Sequence, residues 1–132
     1  MPKKLLVAIV DDDESVRNTT RDLLESEGLL AETFPSAEAF LDSGQLRRVS
    51  CVIADMRMPG MSGLAMHEHL VASGGAIPTI LVTAYPEEPV RARAVKAGVI
   101  AYLAKPFTDA ELLDCISAAA RTQPTTVRGR QS

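Results

Sequence analysis

The chain has 132 residues, of which 46% are hydrophobic and 23% charged, and these values fit one soluble domain with a sizeable core. Its formal net charge of -3 argues against a nucleic-acid-binding surface across the whole domain, and no apolar run approaches the ~20 residues of a membrane span. Cys51 and Cys115 lie far apart in apolar surroundings, which predicts reduced core residues of a cytoplasmic protein.

Short apolar segments alternate along the chain with segments of helical periodicity. Strands are predicted at residues 5–10, 29–34, 51–54, 77–82 and 99–104. Apolar residues at helical spacing cover residues 16–27, 37–41, 64–71, 90–97 and 112–119. The second strand alternates apolar with polar residues, so we expect it nearer to an edge of the sheet.

Several predicted helices carry start or stop signals in their own sequence. Gly28, Gly74 and Gly98 follow the first, third and fourth helices, where glycine readily adopts the left-handed conformation of a helix end. Ser62 can cap the third helix, and the sequence TDAE at residues 108–111 is a capping box ahead of the fifth.

The strand–helix unit occurs about five times, which predicts an α/β fold. The expected architecture is a (βα)5 doubly wound, five-stranded parallel sheet in three α/β/α layers. One domain is expected over residues 1–121. Residues 122–132 are polar and contain Pro and Gly, which predicts a flexible tail or the start of a linker.

Polar side chains stand where four of the predicted strands end. They are Asp11, Asp12 and Asp13 after the first strand, Asp55 after the third, Thr83 after the fourth and Lys105 after the fifth. Ligands of an open parallel sheet bind beyond the carboxyl ends of its strands, so these groups converge if the strands are neighbours. Clustered carboxylates suit Mg²⁺, and a lysine beside them can hold a phosphoryl oxygen. The pattern therefore predicts phosphoryl transfer to an aspartate.

Each of these residues has a simpler interpretation when it is taken alone. Asp13 is a typical helix N-cap, and Asp55 can be a turn residue. A single threonine or lysine at a strand end indicates little. The joint placement of these residues at four strand ends is what makes the pattern specific.

The chain resembles the receiver domains of two-component response regulators, which have a flavodoxin-like fold. The resemblance runs from about Leu5 to Arg121 and rests on the motifs IVDDDESV, IADMRMPGMSG, ILVTAY, KAG and YLAKPF. The spacing of Asp, Met-Pro and Gly in the second motif is its strongest part. The stretch MRMPGMSG is similar to receivers that precede helix-turn-helix DNA-binding domains.

The resemblance implies a phosphoacceptor and a magnesium site. Asp55 matches the phosphoacceptor. Asp12 and Asp55 match direct Mg²⁺ ligands, Asp11 a ligand acting mainly through water, and the backbone carbonyl of Arg57 a further ligand.

The resemblance also implies residues that hold the phosphoryl group and respond to it. Lys105 matches the lysine that contacts the acyl phosphate, with a cis peptide bond to Pro106. Thr83 matches the switch hydroxyl, and Tyr102 matches the aromatic residue that turns inward on activation.

The implied function is a phosphorylation-controlled signalling switch rather than an enzyme. The phosphodonor would be a phosphohistidine of a sensor histidine kinase, and the responding surface would comprise the fourth helix, fifth strand and fifth helix. An output domain or target protein would read that surface, with homodimer formation on phosphorylation as a further expectation. No direct binding of this domain to nucleic acid or membrane is expected.

His67 and His69 match no phosphodonor motif and are expected on a partly exposed helix. Residues two apart lie on different faces of a helix, which argues against a shared metal site.

Alternatives to the leading interpretation stay open. The chain could be a stand-alone receiver in a phosphorelay or the receiver portion of a DNA-binding transcription regulator. A Mg²⁺-dependent aspartyl-phosphate phosphatase is a third hypothesis, because Asp11 and Asp13 nominally fit an Asp-x-Asp motif, although no chain is left for a cap domain. A flavodoxin-like cofactor binder would need a phosphate-cradling loop after the first strand, and the aspartates there do not form one.

Two large side chains are predicted near the mouth of the site. Arg57 lies two residues after Asp55, and Tyr85 lies two residues after Thr83. Both side chains are large enough to flank the mouth of the site, where they would restrict water and lengthen the lifetime of the phosphate. The alternative is that both side chains point into solvent.

Overall fold

The computed structural model describes residues 5–121, which form one five-stranded parallel sheet with helices on both faces. The strands are β1 (Leu6–Val10), β2 (Leu30–Phe34), β3 (Cys51–Asp55), β4 (Thr79–Thr83) and β5 (Ala101–Ala104). Their order across the sheet is β2-β1-β3-β4-β5. The predicted fold class and the edge position of β2 are confirmed. The predicted tail, residues 122–132, lies outside the described residues, as do residues 1–4.

The fourth and fifth strands begin two residues later than predicted. Proline has no N–H to donate, and β4 begins immediately after Pro78. The N–H of Val99 bonds to the carbonyl of Ala94 at 3.1 Å, so it belongs to the end of the preceding helix. Asp55 and Thr83 are the last residues of β3 and β4, one residue beyond the predicted ends, so both side chains are positioned by the sheet itself.

Within residues 5–121, five α-helices connect or follow the strands. They are α1 (Glu14–Ser26), α2 (Ala37–Leu41), α3 (Gly63–Ala72), α4 (Glu88–Lys96) and α5 (Asp109–Arg121). The capping box is present, since the N–H of Thr108 bonds to Glu111 Oε1 at 2.8 Å and the N–H of Glu111 to Thr108 Oγ1 at 3.0 Å. Ser62 caps α3 by accepting the N–H of Ala65 at 3.0 Å. A short 3-10 turn at Leu46–Arg48 has no counterpart among the predicted elements.

The sheet separates two apolar core layers. One layer packs alternate residues of the central strands against α1 and α5, and it includes Ile9, Leu24, Ile53 and Ile116. The other packs the opposite strand faces against α2, α3 and α4, and it includes Val10, Phe40, Val52 and Leu70. Burying each such side chain stabilises the fold by about 1.5–3 kcal/mol. The carboxyl edge of the sheet is therefore supported by rigid, well-packed strands.

Of the two cysteines, Cys51 is a core residue as predicted and Cys115 is not fully buried. Both are free thiols, and Cys51 is buried in β3 while Cys115 is half-buried on α5. Burial raises the pKa of the Cys51 thiol to about 12, so this group stays protonated at neutral pH. No helix within residues 5–121 is long and apolar enough to cross a membrane.

Asp13 is the N-cap of α1, and its side chain accepts the N–H groups of Ser15 at 2.9 Å and Val16 at 3.3 Å. Replacing Asp13 by alanine should lower the free energy of unfolding by about 1 kcal/mol, because both donors lose their acceptor. Urea denaturation followed by circular dichroism measures this change. Asp13→Asn is the matched control, since asparagine keeps the acceptor and should leave stability nearly unchanged. Equal losses in both variants would contradict the capping role.

Candidate functional site

Three aspartates meet at the carboxyl edge of the sheet. β1 and β3 are neighbours, with Val10 paired to Ala54, so the residues that follow emerge side by side. One carboxylate oxygen from each of Asp11, Asp12 and Asp55 lies within 4.8 Å of the others. The structure thus brings together the three carboxylates that the strand ends predict.

Asp11 is the most deeply placed of the three, with 2% of its surface exposed. Its Oδ1 accepts the N–H of Asp13 at 2.9 Å, and its own N–H bonds to the carbonyl of Phe34 at 3.1 Å. Burial raises the pKa of the Asp11 carboxyl, and the nearby charge of Asp55 raises it further, although the bond from Asp13 acts in the opposite direction. Asp11 therefore holds its charge at a cost when no cation is bound.

Lys105 lies between the carboxylates of Asp11 and Asp55. Its Nζ is 3.8 Å from Asp11 Oδ2 and 3.8 Å from Asp55 Oδ2, which are ion-pair distances rather than hydrogen bonds. The backbone N–H of Lys105 donates to the carbonyl of Thr83 at 2.8 Å. This bond holds the start of the loop between β5 and α5 against β4. The peptide bond to Pro106 is cis, as the resemblance implies.

Asp55 presents its two oxygens to different neighbours. Oδ1 accepts the N–H of Arg57 at 3.2 Å, whereas Oδ2 faces Lys105. The start of α3 packs directly behind Asp55, since a Cβ on Gly63 would lie 2.6 Å from the Asp55 carbonyl oxygen. Glycine is therefore required at this position of the second motif, because any side chain would push α3 away from β3.

The donor set fits a hard divalent cation. Mg²⁺ prefers oxygen ligands and is often held by one or two carboxylates together with water. Here three carboxylates face one another, and Lys105 supplies a single compensating charge nearby. The backbone N–H of Arg57 donates to Asp55 Oδ1. The role of the Arg57 carbonyl as a metal ligand stays a prediction.

Thr83 and Tyr102 line one cavity of about 550 Å³ beside the acidic cluster. Thr83 is 1% exposed, and its Oγ1 accepts the N–H of Tyr85 at 3.0 Å. The Tyr102 ring is buried, and its hydroxyl accepts the N–H of Glu87 at 3.4 Å. Tyr102 thus occupies an inward position in this structure, and its turning on activation stays a prediction.

Arg57 and Tyr85 pack against each other at the same cavity. The guanidinium carbon of Arg57 lies 5.0 Å from the centre of the Tyr85 ring, and both residues line the cavity that contains Thr83. This is cation–π geometry, which attracts a guanidinium to the face of a tyrosine. Tyr85 remains 64% exposed, so the stacked pair lies at the solvent side of this cavity, and whether it restricts water at Asp55 stays a prediction.

Two further side chains hold the loops of the site, and the sequence analysis does not include them. Arg17 Nη1 donates to the carbonyl of Asp11 at 2.7 Å, and Glu38 Oε2 accepts the N–H of Met61 at 3.0 Å. Arg17 lies one helical turn after the N-cap of α1, so helical spacing could indicate that it reaches back to the loop. Glu38 comes from α2, far along the chain from Met61, and no local pattern signals that contact.

α3 is partly exposed as predicted, but the side chain of His67 lies on the buried face of this helix. His67 is 3% exposed because α3 packs against both the sheet and the end of α4 at this position, whereas His69 is exposed as expected. His67 lies three residues from both Leu64 and Leu70, so helical spacing indicates the buried face, but it does not identify the partners of the imidazole.

Asp11→Asn should raise the free energy of unfolding of the metal-free protein, because it removes a buried charge that faces Asp55. The pKa of Asp11 is raised above 3.8 in the folded state, so the folded protein binds this proton more tightly than the unfolded chain. The wild type should therefore gain stability relative to the variant as pH falls through the raised pKa toward 3.8. Thermal unfolding in EDTA, at pH 7 and at successively lower pH, measures both effects.

The control for this experiment is Asp22→Asn, which lies on the exposed surface of α1 and should show neither effect. An Asp11→Asn protein that is no more stable than the wild type in EDTA at pH 7 would contradict the charge-burial argument.

Comparison with known proteins gives relatives that are longer than this chain. Transcriptional regulatory protein FixJ from Azorhizobium caulinodans is 40% identical over 118 residues, which cover 89% of this chain and 56% of that protein. Nodulation protein W from Bradyrhizobium diazoefficiens is 40% identical over 116 residues, which cover 88% of this chain and 51% of that protein. The chain spans about half the length of the curated relatives it matches.

Solved structures agree with the observed fold. The response regulator StyR superposes with a TM-score of 0.85 at 43% identity, covering 92% of this chain and 61% of that one. FixJ-N superposes with a TM-score of 0.82 at 32% identity, covering 92% of this chain and 97% of that one. The family model of the response regulator receiver domain matches residues 7–117. The chain therefore belongs to the receiver domain family of response regulators.

Proposed function

We propose that this chain is a phosphorylation-controlled switch of a two-component system and that Asp55 accepts the phosphoryl group. The phosphodonor is a phosphohistidine on a sensor histidine kinase. The observation that carries the proposal is the position of Lys105 Nζ, 3.8 Å from both Asp11 and Asp55, beside three carboxylates within 4.8 Å of one another. A transferred phosphoryl group needs this combination of an acceptor oxygen and cationic stabilisation.

In the transfer step, an oxygen of Asp55 bonds to phosphorus while the phosphorus–nitrogen bond of the donor breaks. The imidazole leaves with the electron pair of that bond. Lys105 is placed to neutralise charge on the transferred oxygens, and the N–H of Arg57 holds Asp55 Oδ1 so that the carboxylate keeps one orientation. Asp11, Asp12 and Asp55, with the Arg57 carbonyl, would hold Mg²⁺, which supplies further neutralisation of phosphoryl charge when bound.

The phosphoryl group adds negative charge and acceptor oxygens next to Thr83. Thr83 Oγ1 already accepts the N–H of Tyr85, so its own proton is available to a phosphoryl oxygen. Movement of Thr83 would carry the loop from β4 to α4 and alter the cavity that Tyr102 fills. The surface of α4, β5 and α5 then differs between the two states, and this difference is what a partner reads.

The relatives support a receiver that controls a transcription regulator, since FixJ and related proteins are named as transcriptional regulatory proteins. An output domain or target protein is then the downstream partner, homodimer formation follows phosphorylation, and the kinase contact places the domain in the cytoplasm. A stand-alone phosphate shuttle is not favoured. This domain itself contacts neither nucleic acid nor membrane.

An aspartyl-phosphate phosphatase is disfavoured by the role of Asp13. Its Oδ1 accepts two N–H groups of α1, so Asp13 serves as a helix cap rather than as the second acid of an Asp-x-Asp pair. The domain thus acts as a phosphoacceptor that takes part in its own phosphorylation and slow dephosphorylation, and not as an enzyme acting on other substrates.

Incubation with phosphoramidate and Mg²⁺, followed by intact-protein mass spectrometry, tests the proposal. The wild type should gain the mass of one phosphoryl group, and Asp55→Asn should gain none. Asp13→Asn is the matched control and should be phosphorylated like the wild type, because Asp13 caps α1. EDTA should abolish the gain. A wild type that gains no mass, or an Asp55→Asn protein that gains it, would refute the assignment.

Arg57→Ala and Tyr85→Ala should each speed the loss of phosphate by about two- to fivefold, which corresponds to a cation–π contact of about 0.5–1 kcal/mol. The physical reason is that either change opens the stacked pair that covers the cavity. The decay of the phosphorylated mass after removal of the donor measures the rate. Tyr85→Phe keeps the ring and should keep the wild-type lifetime, whereas unchanged decay in both alanine variants would show that the pair does not restrict water.

A further inference from the structure

His67 belongs to α3, and its side chain is buried against the start of β4 and the end of α4. Its Nδ1 lies 2.8 Å from Thr79 Oγ1, and its Nε2 lies 2.9 Å from the carbonyl oxygen of Ala97. Because a carbonyl oxygen can only accept, Nε2 donates its proton in this contact. Ala97 is the C-cap residue of α4, and carbonyls at this end of a helix have no partner within the helix. His67 therefore satisfies a terminal carbonyl of α4 from a neighbouring helix.

Thr79 connects this contact to the sheet. Its hydroxyl lies 2.8 Å from both His67 Nδ1 and the carbonyl of Ile77, and its single proton is donated to one of these two acceptors at a time. The carbonyl of Thr79 accepts the N–H of Ile100 at 2.8 Å. The residue that meets the imidazole thus also joins the start of β4 to the segment that leads into β5. The C-terminal end of α4 is tied to rigid structure through His67 and Thr79.

α4 has little apolar attachment to the domain. Ala94 is its buried residue and Val90 is half-buried, while the other side chains of the helix are exposed. A second polar link to α3 comes from Arg93, whose Nε and Nη2 bond to the carboxylate of Glu68 at 3.1 and 2.7 Å. Hydrophobic stabilisation scales with the apolar area that is buried, and α4 buries little. Hydrogen bonds and the ion pair with Glu68 therefore contribute much of the free energy that holds this helix in position.

The N-terminal end of α4 is attached in a different way. Its N-cap, Glu87, makes no side-chain capping bond, and the N–H of Glu87 reaches the Tyr102 hydroxyl at a long 3.4 Å. The guanidinium of Arg91 lies 5.1 Å from the centre of the Tyr102 ring. Both contacts involve Tyr102, the residue that the proposed switch moves, whereas the contacts at the C-terminal end involve residues outside the switch.

We propose that His67 is a positioning residue that pins the C-terminal end of α4. A change that begins at Thr83 and Tyr102 then swings the N-terminal end of α4 about this fixed end, instead of displacing the whole helix. This inference deepens the proposed switch and rests on it, because phosphorylation of Asp55 drives the swing. The part of the surface that a partner reads is accordingly the first turns of α4 together with β5.

Hydrogen–deuterium exchange of the full chain tests the anchor in the unphosphorylated protein. His67→Leu should speed amide exchange over residues 95–100 by about tenfold, as expected for the loss of one buried hydrogen bond. His67→Gln should have a much smaller effect, because its amide can donate from near the position of Nε2. Ile116→Ala lowers stability from the opposite core layer and should not produce the local increase. In the wild type, ¹⁵N shifts of the His67 ring should show a protonated Nε2.

Exchange measured with phosphoramidate and Mg²⁺ separates a pivot from ordinary core packing. In the wild type, phosphorylation should change exchange over residues 84–90 and leave residues 95–100 unchanged. In His67→Leu the change should spread to residues 95–100, which a histidine that merely fills the core would not cause. The proposal would be overturned if phosphorylation changed exchange over residues 95–100 in the wild type. It would equally be overturned if phosphorylation left exchange over residues 95–100 unchanged in His67→Leu.

Failure of the proposed phosphoacceptor role can be distinguished from failure of the His67 anchor. If no phosphorylated protein forms, the proposed phosphoacceptor role is wrong. The anchor is then judged on the unphosphorylated samples alone, where exchange over residues 95–100 that is the same in wild type and His67→Leu overturns it, as does an unprotonated Nε2.

Discussion

Mutual repulsion among Asp11, Asp12 and Asp55 is the constraint around which the site is arranged. Like charges about 4 Å apart near a protein surface cost on the order of 4 kcal/mol, and here three carboxylates come within 4.8 Å of one another. Burial of Asp11 adds to the cost, and Lys105 offsets part of it from 3.8 Å. An excess of negative charge remains, and that excess is what makes the site attract a divalent cation.

The parallel sheet explains how this charge can be held in place. β1, β3 and β4 are buried on both faces, so their ends cannot move apart without opening two core layers at once. The sheet order places β1 next to β3 and β5 next to β4. Residues that are distant in sequence are therefore fixed within one small volume. Apolar packing on the strands thus provides the rigidity that the polar residues at their ends require.

The sequence predicts those parts of the fold whose cause is local. Buried parallel strands require continuous apolar runs, and the capping box at Thr108 is read from four residues. The ends of the strands predict the site because parallel topology makes them meet. Contacts between distant elements leave no comparable pattern, which is why the sequence predicts neither the bond between Glu38 and Met61 nor the partners of His67. Their roles depend on how α2, α3 and α4 pack, and spacing along one element does not specify that.

The attachments of α4 suit the change of position that the proposed switch requires of this helix. A helix held by a large apolar face moves only when its core contacts open, and each buried side chain lost costs about 1.5–3 kcal/mol. α4 instead buries Ala94 and relies on polar contacts, which can be exchanged for bonds to water or to another residue at a net cost of about 1 kcal/mol each. Because these contacts differ in length, 2.9 Å at Ala97 and 3.4 Å at Glu87, the proposed switch would move α4 at the least cost by rotating it about its C-terminal end. In the proposed switch, the distribution of polar bonds along one helix would thereby determine which part of the surface responds to a charge added at Asp55.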